Sequence, residues 1–288
     1  MFDAILFPTD GSDGADAGLD FALDVADAHG ATPHLVSVAD TSRSAVERTP
    51  DVTETLERNA ERVVSRAAQR ARERAVDATT EVRQGTPHRE ICDYAASAGV
   101  DAILMSTRGR RGLERFLLGS TTERVVRRSE VPVLTLRPDD GAHYPFESVL
   151  VATDGSDCAD AALDRGVAVA DAEGAALHLL SVVDVTSLGA DVRSDIAVDA
   201  LESGANAILD DAAARANGAG VDPATREVAF GSSIHRAILD YVDECDADLV
   251  VVGTHGRTGF DRYVLGSVAE YLVRTSPVPV LTVRAPEE

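Results

Sequence analysis

Two stretches of this sequence carry glycine, serine and arginine in one arrangement. Residues 251–267 read VVGTHGRTGFDRYVLGS, and residues 104–120 read LMSTRGRRGLERFLLGS. In the later stretch an apolar run ends in Val252-Gly253. Gly256 follows, then nine residues, then Gly266-Ser267. Glycine lets backbone approach a ligand closely. A helix starting at Gly-Ser offers free N–H groups and a positive potential, which suit a phosphate. Ser267 is expected to cap that helix and offer its hydroxyl to the same anion, with Val268 next in the first turn. His255, Arg257 and Arg262 add donors. The earlier stretch has Met105-Ser106, Gly109 and Gly119-Ser120-Thr121 at the matching positions, with Arg108, Arg110, Arg111 and Arg115 beside them. Ser106 stands where Gly253 stands, so its Cβ is expected to crowd a close ligand. A bare GxxG is weak and is satisfied by a plain strand-to-helix turn with a solvated arginine face. The spacing, the closing Gly-Ser and the second copy favour phosphate.

Other chemistry is thinly represented. His34 and His178 occupy matching strand positions and read as structural. His88 and His235 match at a helix start, where capping is the simpler account. No HExxH, nucleophile elbow or metal-ligand spacing is visible, so no protein-held metal is expected. Cys92, Cys158 and Cys245 are far apart and odd in number, which fits reduced thiols rather than a disulfide framework or zinc site. Cys158 falls in a probable first helical turn and corresponds to Gly14, which favours a packing role.

Composition bounds the partners. The chain has 288 residues and a net charge of −22, and every one of its 27 basic residues is arginine. A strong negative field repels nucleic acid, and no apolar run is long enough for a membrane helix. Adaptation to a salty cytoplasm is the simple account of the charge, because salt screens the repulsion. An acidic face for a basic partner is the alternative. The missing lysine excludes a Walker lysine and Schiff-base chemistry. The start, MFDAILFPTDGS, reads as a strand rather than a secretory signal.

The chain repeats itself. PTDGSD at 8–13 returns as ATDGSD at 152–157, VADAHGATPHLVSVAD at 25–40 as VADAEGAALHLLSVVD at 169–184, and VPVLTLR at 131–137 as VPVLTVR at 278–284. The unit is a domain, not a solenoid repeat. The first half predicts strands at 3–8, 33–39, 79–84, 101–106 and 131–137, and helices at 13–29, 51–76, 88–98 and 120–128. The fold class is therefore α/β, two repeated doubly wound five-stranded parallel-sheet domains. The expected boundaries are 1–138 and 147–288, with 139–146 as linker. In such sheets ligands sit at the strand carboxyl ends, at the switch point. Pro8-Thr9-Asp10 and Ala152-Thr153-Asp154 end the first strands there. Val38 and Val182 lie near the ends of the second strands, and the glycine loops follow the fourth. Asp10 and Asp154 read either as turn residues or as carboxylates accepting a ligand hydroxyl or amine.

On these residues the chain resembles the universal stress protein (UspA) family, as a tandem member of the ATP-binding type. The family pattern is G-x2-G-x9-G-[ST]. Gly253, Gly256, Gly266 and Ser267 match it fully, and Ser106, Gly109, Gly119 and Ser120 match it except at the first position. The D-G-S after the first strand and the closing V-P-V-L strand are also similar, and the resemblance covers both halves. It implies a Rossmann-like, adenine nucleotide alpha hydrolase-like fold and ATP as ligand, any Mg2+ arriving with the nucleotide. It implies that Ala152, Thr153 and Asp154 meet the ribose or adenine side and that Val182 meets adenine. Val252, Gly253, His255, Gly256, Gly266, Ser267 and Val268 would surround ribose and phosphates. The first-half equivalents are Pro8, Thr9, Asp10, Val38, Met105, Ser106, Arg108, Gly109, Gly119, Ser120 and Thr121. The resemblance further implies a cytoplasmic stress or signalling protein, not a metabolic catalyst, with slow ATP hydrolysis left open. It implies pairing of strands 131–137 and 278–284 into an internal pseudo-dimer, and a homodimer of whole chains stays open. The alternatives are an interaction module that no longer binds nucleotide, and an enzyme of related fold. Against the enzyme stands the lack of a HIGH-like motif or an SGGxDS loop.

Overall fold

Strands buried on both faces need near-continuous apolar runs, and helices that cover them need one apolar stripe. The chain alternates the two. The computed structural model describes residues 2–42, 50–107, 118–137, 142–185, 195–256 and 265–286. Contacts divide it into Met1–Tyr144 and Pro145–Glu288. The first unit runs β1 (Ala4–Pro8), α1 (Asp13–His29), β2 (Thr32–Asp40), α2 (Pro50–Glu73), β3 (Thr79–Gly85), α3 (Pro87–Ala98), β4 (Ala102–Ser106), α4 (Ser120–Arg128) and β5 (Val133–Leu136). Its strand order is β3-β2-β1-β4-β5, parallel at every pair.

The second unit repeats this as β6 (Ser148–Ala152), α5 (Asp157–Glu173), β7 (Ala176–Asp184), α6 (Asp195–Gly218), β8 (Thr225–Gly231), α7 (Ile234–Glu244), β9 (Leu249–Gly253), α8 (Ser267–Thr275) and β10 (Val280–Val283). Its order is β8-β7-β6-β9-β10, again parallel. In each unit the chain steps outward from the first strand, then returns to its other side. That reversal creates the switch point between β1 and β4, and between β6 and β9. Ile5, Leu6 and Phe7 on β1, and Val149, Leu150 and Val151 on β6, are fully buried.

The turn after the first strand is built identically in both units. The Thr9 and Thr153 hydroxyls accept from the Gly11 and Gly155 N–H groups, each at 3.2 Å. Those glycines have φ of 69° and 72°, a conformation that costs other residues a Cβ clash. Ser12 and Ser156 then cap α1 and α5 by accepting from Ala15 N–H at 3.3 Å and Ala159 N–H at 3.4 Å.

The helix expected over 51–76 ends earlier, at Glu73. The chain leaves it through Ala75, whose φ is 60°, and the second unit has Gly220 there with φ 92°. An alanine in the left-handed region gives no stop signal in the sequence. Tyr144 donates or accepts at 2.9 Å with His29 Nε2 and packs edge-on against Phe21, so it belongs to the first unit. Among the described residues no helix is long and apolar enough to cross a membrane.

Glycines inside helices differ between the repeats. Gly18 has room for a Cβ, which would meet Leu136 and Phe7 at 3.5 Å, whereas a Cβ at Gly166 would collide with a Val151 methyl. Gly18→Ala is expected to raise stability by about 0.5–1 kcal/mol, through reduced backbone entropy in the unfolded chain. Gly166→Ala is expected to lower it by about 1–3 kcal/mol through overpacking. Urea unfolding midpoints of the two variants check both signs.

Candidate functional site

The site is set by two chain segments that leave neighbouring strands at the switch point. In the second unit these are the turn after β6 and the loop after β9. Asp154 bends back on its own turn, and its Oδ1 accepts from Ser156 N–H at 3.1 Å. A Cβ placed on Gly256 would lie 2.6 Å from Asp154 Oδ2, so the loop crosses the carboxylate closely enough that a side chain there would displace it. The Ser156 hydroxyl donates to the His255 carbonyl at 3.4 Å and ties the segments together. Asp10 makes the same turn in the first unit, with Oδ1 accepting from Ser12 N–H at 3.0 Å. The turn reading of these aspartates is therefore correct for one oxygen of each, and in the second unit Asp154 Oδ2 lies beside Gly256.

The glycine loop is closed at its base. Gly266 N–H donates to the Thr254 carbonyl at 2.8 Å, and Thr254 N–H donates to Val283 at 2.8 Å. Gly119 and Thr107 make the matching 2.8 Å bond in the first unit. A Cβ on Gly266 would lie 3.0 Å from the Thr254 oxygen, which explains glycine there. Sequence reasoning missed Thr107, Thr254 and Ser156, although STRG, GTHG and DGSD display them. Val38 and Val182 lie half-buried toward the carboxyl ends of β2 and β7, paired in register with Arg83 and Ala229. Thr9, Thr153, Met105, Ser106 and Val252 are buried, Pro8 and Ala152 half-buried. Arg108, Gly109, Arg110, Arg111, Arg115, Arg257 and Arg262 lie outside the described residues.

Several expectations are corrected. Ser267 does not cap α8. The cap residue is Gly266, with no side-chain cap bond, and Ser267 is the first helical residue. Gly119 holds that place ahead of Ser120 in α4. The helix starts beside the loops are thus uncapped, unlike α1 and α5, and Ser120 and Ser267 are exposed there beside half-buried Thr121 and Val268. His255 turns its ring to Thr254, with Nδ1 3.1 Å from the hydroxyl.

His88 and His235 do not cap their helices either. Neither α3 nor α7 has a side-chain cap bond. His235 stacks on Tyr271 at 3.7 Å. Burial, then the charges of Arg124, Arg128 and Arg89, hold His88 below the ordinary histidine pKa. His34 and His178 are structural, as expected. His34 Nδ1 is 2.9 Å from the Tyr94 hydroxyl, and His178 Nδ1 reaches Tyr241 through Thr225, by contacts of 2.8 Å each.

The surroundings of Gly253 bear on the serine at 106. A Cβ on Gly253 would lie 2.8 Å from the Cys158 carbonyl carbon and 2.9 Å from Ala159 N. That direction leads into the first turn of α5, not into the crevice. The residue matching Cys158 in the first unit is Gly14. One unit places glycine on the strand and a side chain on the helix, and the other reverses them. Ser106 is thus matched by Gly14 in the first unit, as Gly253 is matched by Cys158 in the second.

The comparisons agree with this architecture. A model described as "Universal stress protein family" matches residues 1–137 and again 145–284. A universal stress protein of Methanocaldococcus jannaschii is 32% identical over 141 residues, 48% of this chain and 83% of the relative. One of Mycolicibacterium smegmatis is 30% identical over 213 residues, 71% of this chain and 68% of the relative. The crystal structure of a universal stress protein from Archaeoglobus fulgidus superposes with a TM-score of 0.77 at 26% identity, covering 98% of each chain.

Two outcomes follow from this geometry. Gly253→Ser is expected to destabilise by about 1–3 kcal/mol, and adding Cys158→Gly is expected to restore only the part owed to the Cys158 Cβ, because the α5 backbone atoms stay in place. Chemical denaturation of the single and double variants measures the coupling. The second concerns pH. Burial lowers the pKa of His34 and His178. Above about pH 6.5 both are neutral folded and unfolded, so they add no pH dependence. As pH falls below that, the unfolded chain takes up protons that the folded core refuses, and stability drops. The slope between about pH 6.5 and 5 is expected to flatten in His178→Gln, read by unfolding midpoints across that range.

Proposed function

The chain belongs to the universal stress protein family, and from that premise we propose that it binds ATP, or another adenine nucleotide, at the carboxyl ends of its strands. The observation that carries this reading is the crossing of Gly256 over Asp154, beside an uncapped helix start. The Asp154 oxygen that faces the loop would accept from a ribose hydroxyl. The N–H groups of Ser267 and Val268, with the Ser267 hydroxyl, would receive phosphate oxygens. Val182 would line the base. Any Mg2+ would be carried by the phosphates, since that ion is commonly held by them with few protein ligands. The Ser106–Gly14 exchange supports extending the site to the first unit, through Asp10, Val38, Gly119, Ser120 and Thr121. The role is nucleotide-dependent signalling in the cytoplasm under stress, not metabolic turnover.

Calorimetric titration of ATP into the full chain in KCl tests the proposal. Two nucleotides per chain are expected. Gly256→Ala is expected to displace the Asp154 carboxylate and weaken the second-unit site at least tenfold, about 1.4 kcal/mol. No binding to the intact chain overturns the reading, and one nucleotide per chain confines it to a single unit.

A further inference from the structure

Arginines recur every fourth residue along the first unit's second helix. Arg58, Arg62, Arg66 and Arg70 lie on α2, and Arg74 follows its end. Such spacing stacks the side chains on one face, where like charges repel. The lower part of this ladder is neutralised by a matching ladder on α1. Arg70 meets Asp20 at 2.5 Å and Asp16 at 3.9 Å, and Arg74 meets Asp24 at 2.7 Å and Asp20 at 3.2 Å. The row of carboxylates at this spacing then stops, because the place four residues before Asp16 is the cap residue Ser12, with Asp13 beside it on the first turn. The arginines continue. Arg62 rests on the Asn59 side chain at 2.8 Å and the Arg58 carbonyl at 3.2 Å. Arg66 has no carboxylate within 4.0 Å among the described residues. It lies over the turn after β1, where a Cβ on Gly11 would come within 2.7 Å of its Nη2.

These residues line a concavity of about 630 Å3, formed by Asn59, Arg62, Val63, Ser65, Arg66 and Gln69. The second unit tests whether the fold requires them. It keeps the lower contact, with Arg215 meeting Asp160 at 2.6 Å and Asp164 at 2.8 Å. It does not keep the lining, for Gly204, Ala207, Ile208, Asp210, Asp211 and Ala214 stand at the matching positions of α6. Packing of the helix against the sheet therefore needs neither Arg62 nor Arg66. In a chain of net charge −22, two guanidinium groups above the last carboxylate of their ladder are left for an anion from outside.

We propose that Arg62 and Arg66, with Asn59 and Ser65, form a phosphate-anion site peculiar to the first unit, at the flank of the turn after β1. Guanidinium forks match phosphate oxygens two at a time, and Asn59 and Ser65 add neutral hydrogen-bonding groups. The anion takes the place that a carboxylate above Asp16 would hold. It comes either from the phosphate chain of a nucleotide seated at the strand ends or from a separate phosphorylated small molecule. The site does not depend on the nucleotide reading, since its argument rests on the ladder alone.

Inorganic pyrophosphate is the probe, titrated calorimetrically into the full chain at low and at molar KCl. Wild type is compared with Arg62→Gln/Arg66→Gln. Both positions are exposed, and an unchanged unfolding midpoint confirms that the variant is folded. One pyrophosphate site is expected to be lost or weakened at least thirtyfold in the variant, with a steeper salt dependence in wild type. No pyrophosphate binding to wild type, or identical isotherms for the two proteins, overturns the proposal. Repeating the titration with ATP present identifies the source. Loss of the pyrophosphate site then assigns it to the nucleotide's own phosphate chain, and its persistence assigns it to a separate ligand. Absence of ATP binding leaves the pyrophosphate comparison readable, so the two proposals fail independently.

Discussion

The second unit depends on one steric constraint, the passage of two chain segments across each other at the switch point so closely that Gly253 and Gly256 have no room for a Cβ. In the second unit Gly253 lies against the Cys158–Ala159 backbone and Gly256 against the Asp154 carboxylate. The remaining geometry adapts to that crossing. The turn after β6 is compact because Gly155 takes a positive φ and Thr153 receives its N–H. The loop after β9 is pinned by the bond from Gly266 to Thr254. Pinning the base fixes where α8 begins, and α8 then starts without a cap. Parallel strands make the constraint unavoidable, because every loop that follows a strand emerges at the same end of the sheet.

Much of the fold was legible because parallel strands buried on both faces must be apolar throughout. Runs such as AILMS and LVVVG therefore declare themselves. Serine before an acidic first turn likewise marked α1 and α5. What stayed hidden was direction. The sequence shows a serine at 106 but not where its Cβ points, and the structure supplies a direction only for the matching Gly253. A paired difference was nonetheless written elsewhere in the chain, in the exchange of Cys158 for Gly14. His235 was misread for a related reason. Its position at a helix start is local, but the Tyr271 ring that covers it comes from another helix. Ser267 was displaced by one residue because Gly266 already supplies the non-helical cap conformation.

Two copies of a fold in one chain act as controls for each other. Positions that keep their chemistry, such as Asp10 and Asp154 or Gly119 and Gly266, mark what the architecture or its ligand demands. Positions that change together mark compensation, as with Ser106 and Gly14. Positions that change alone mark freedom, and α2 differs from α6 in this way. Both helices bury the same alanine stripe, Ala60, Ala67 and Ala71 against Ala205, Ala212 and Ala216. Their charges differ, for α2 carries five arginines and five acids, and α6 five acids and one arginine. Exposed ion pairs of this kind add little to stability, so their placement is not explained by folding.

In the proposed site, folding and recognition would share one group, the aspartate at the crossing. Its Oδ1 accepts the Ser156 N–H, which stops the side chain from rotating away. Its Oδ2 is thereby held toward the loop. The rotamer freedom of the carboxylate is lost when the unit folds, not when a ligand arrives, and that ordering cost is removed from any binding step. The same holds for the uncapped start of α8, whose donors are aligned by the helix before anything meets them. In the proposed site a turn that looks purely structural would thus make the crevice ready, and the structural and functional readings of Asp154 would describe two oxygens of one side chain.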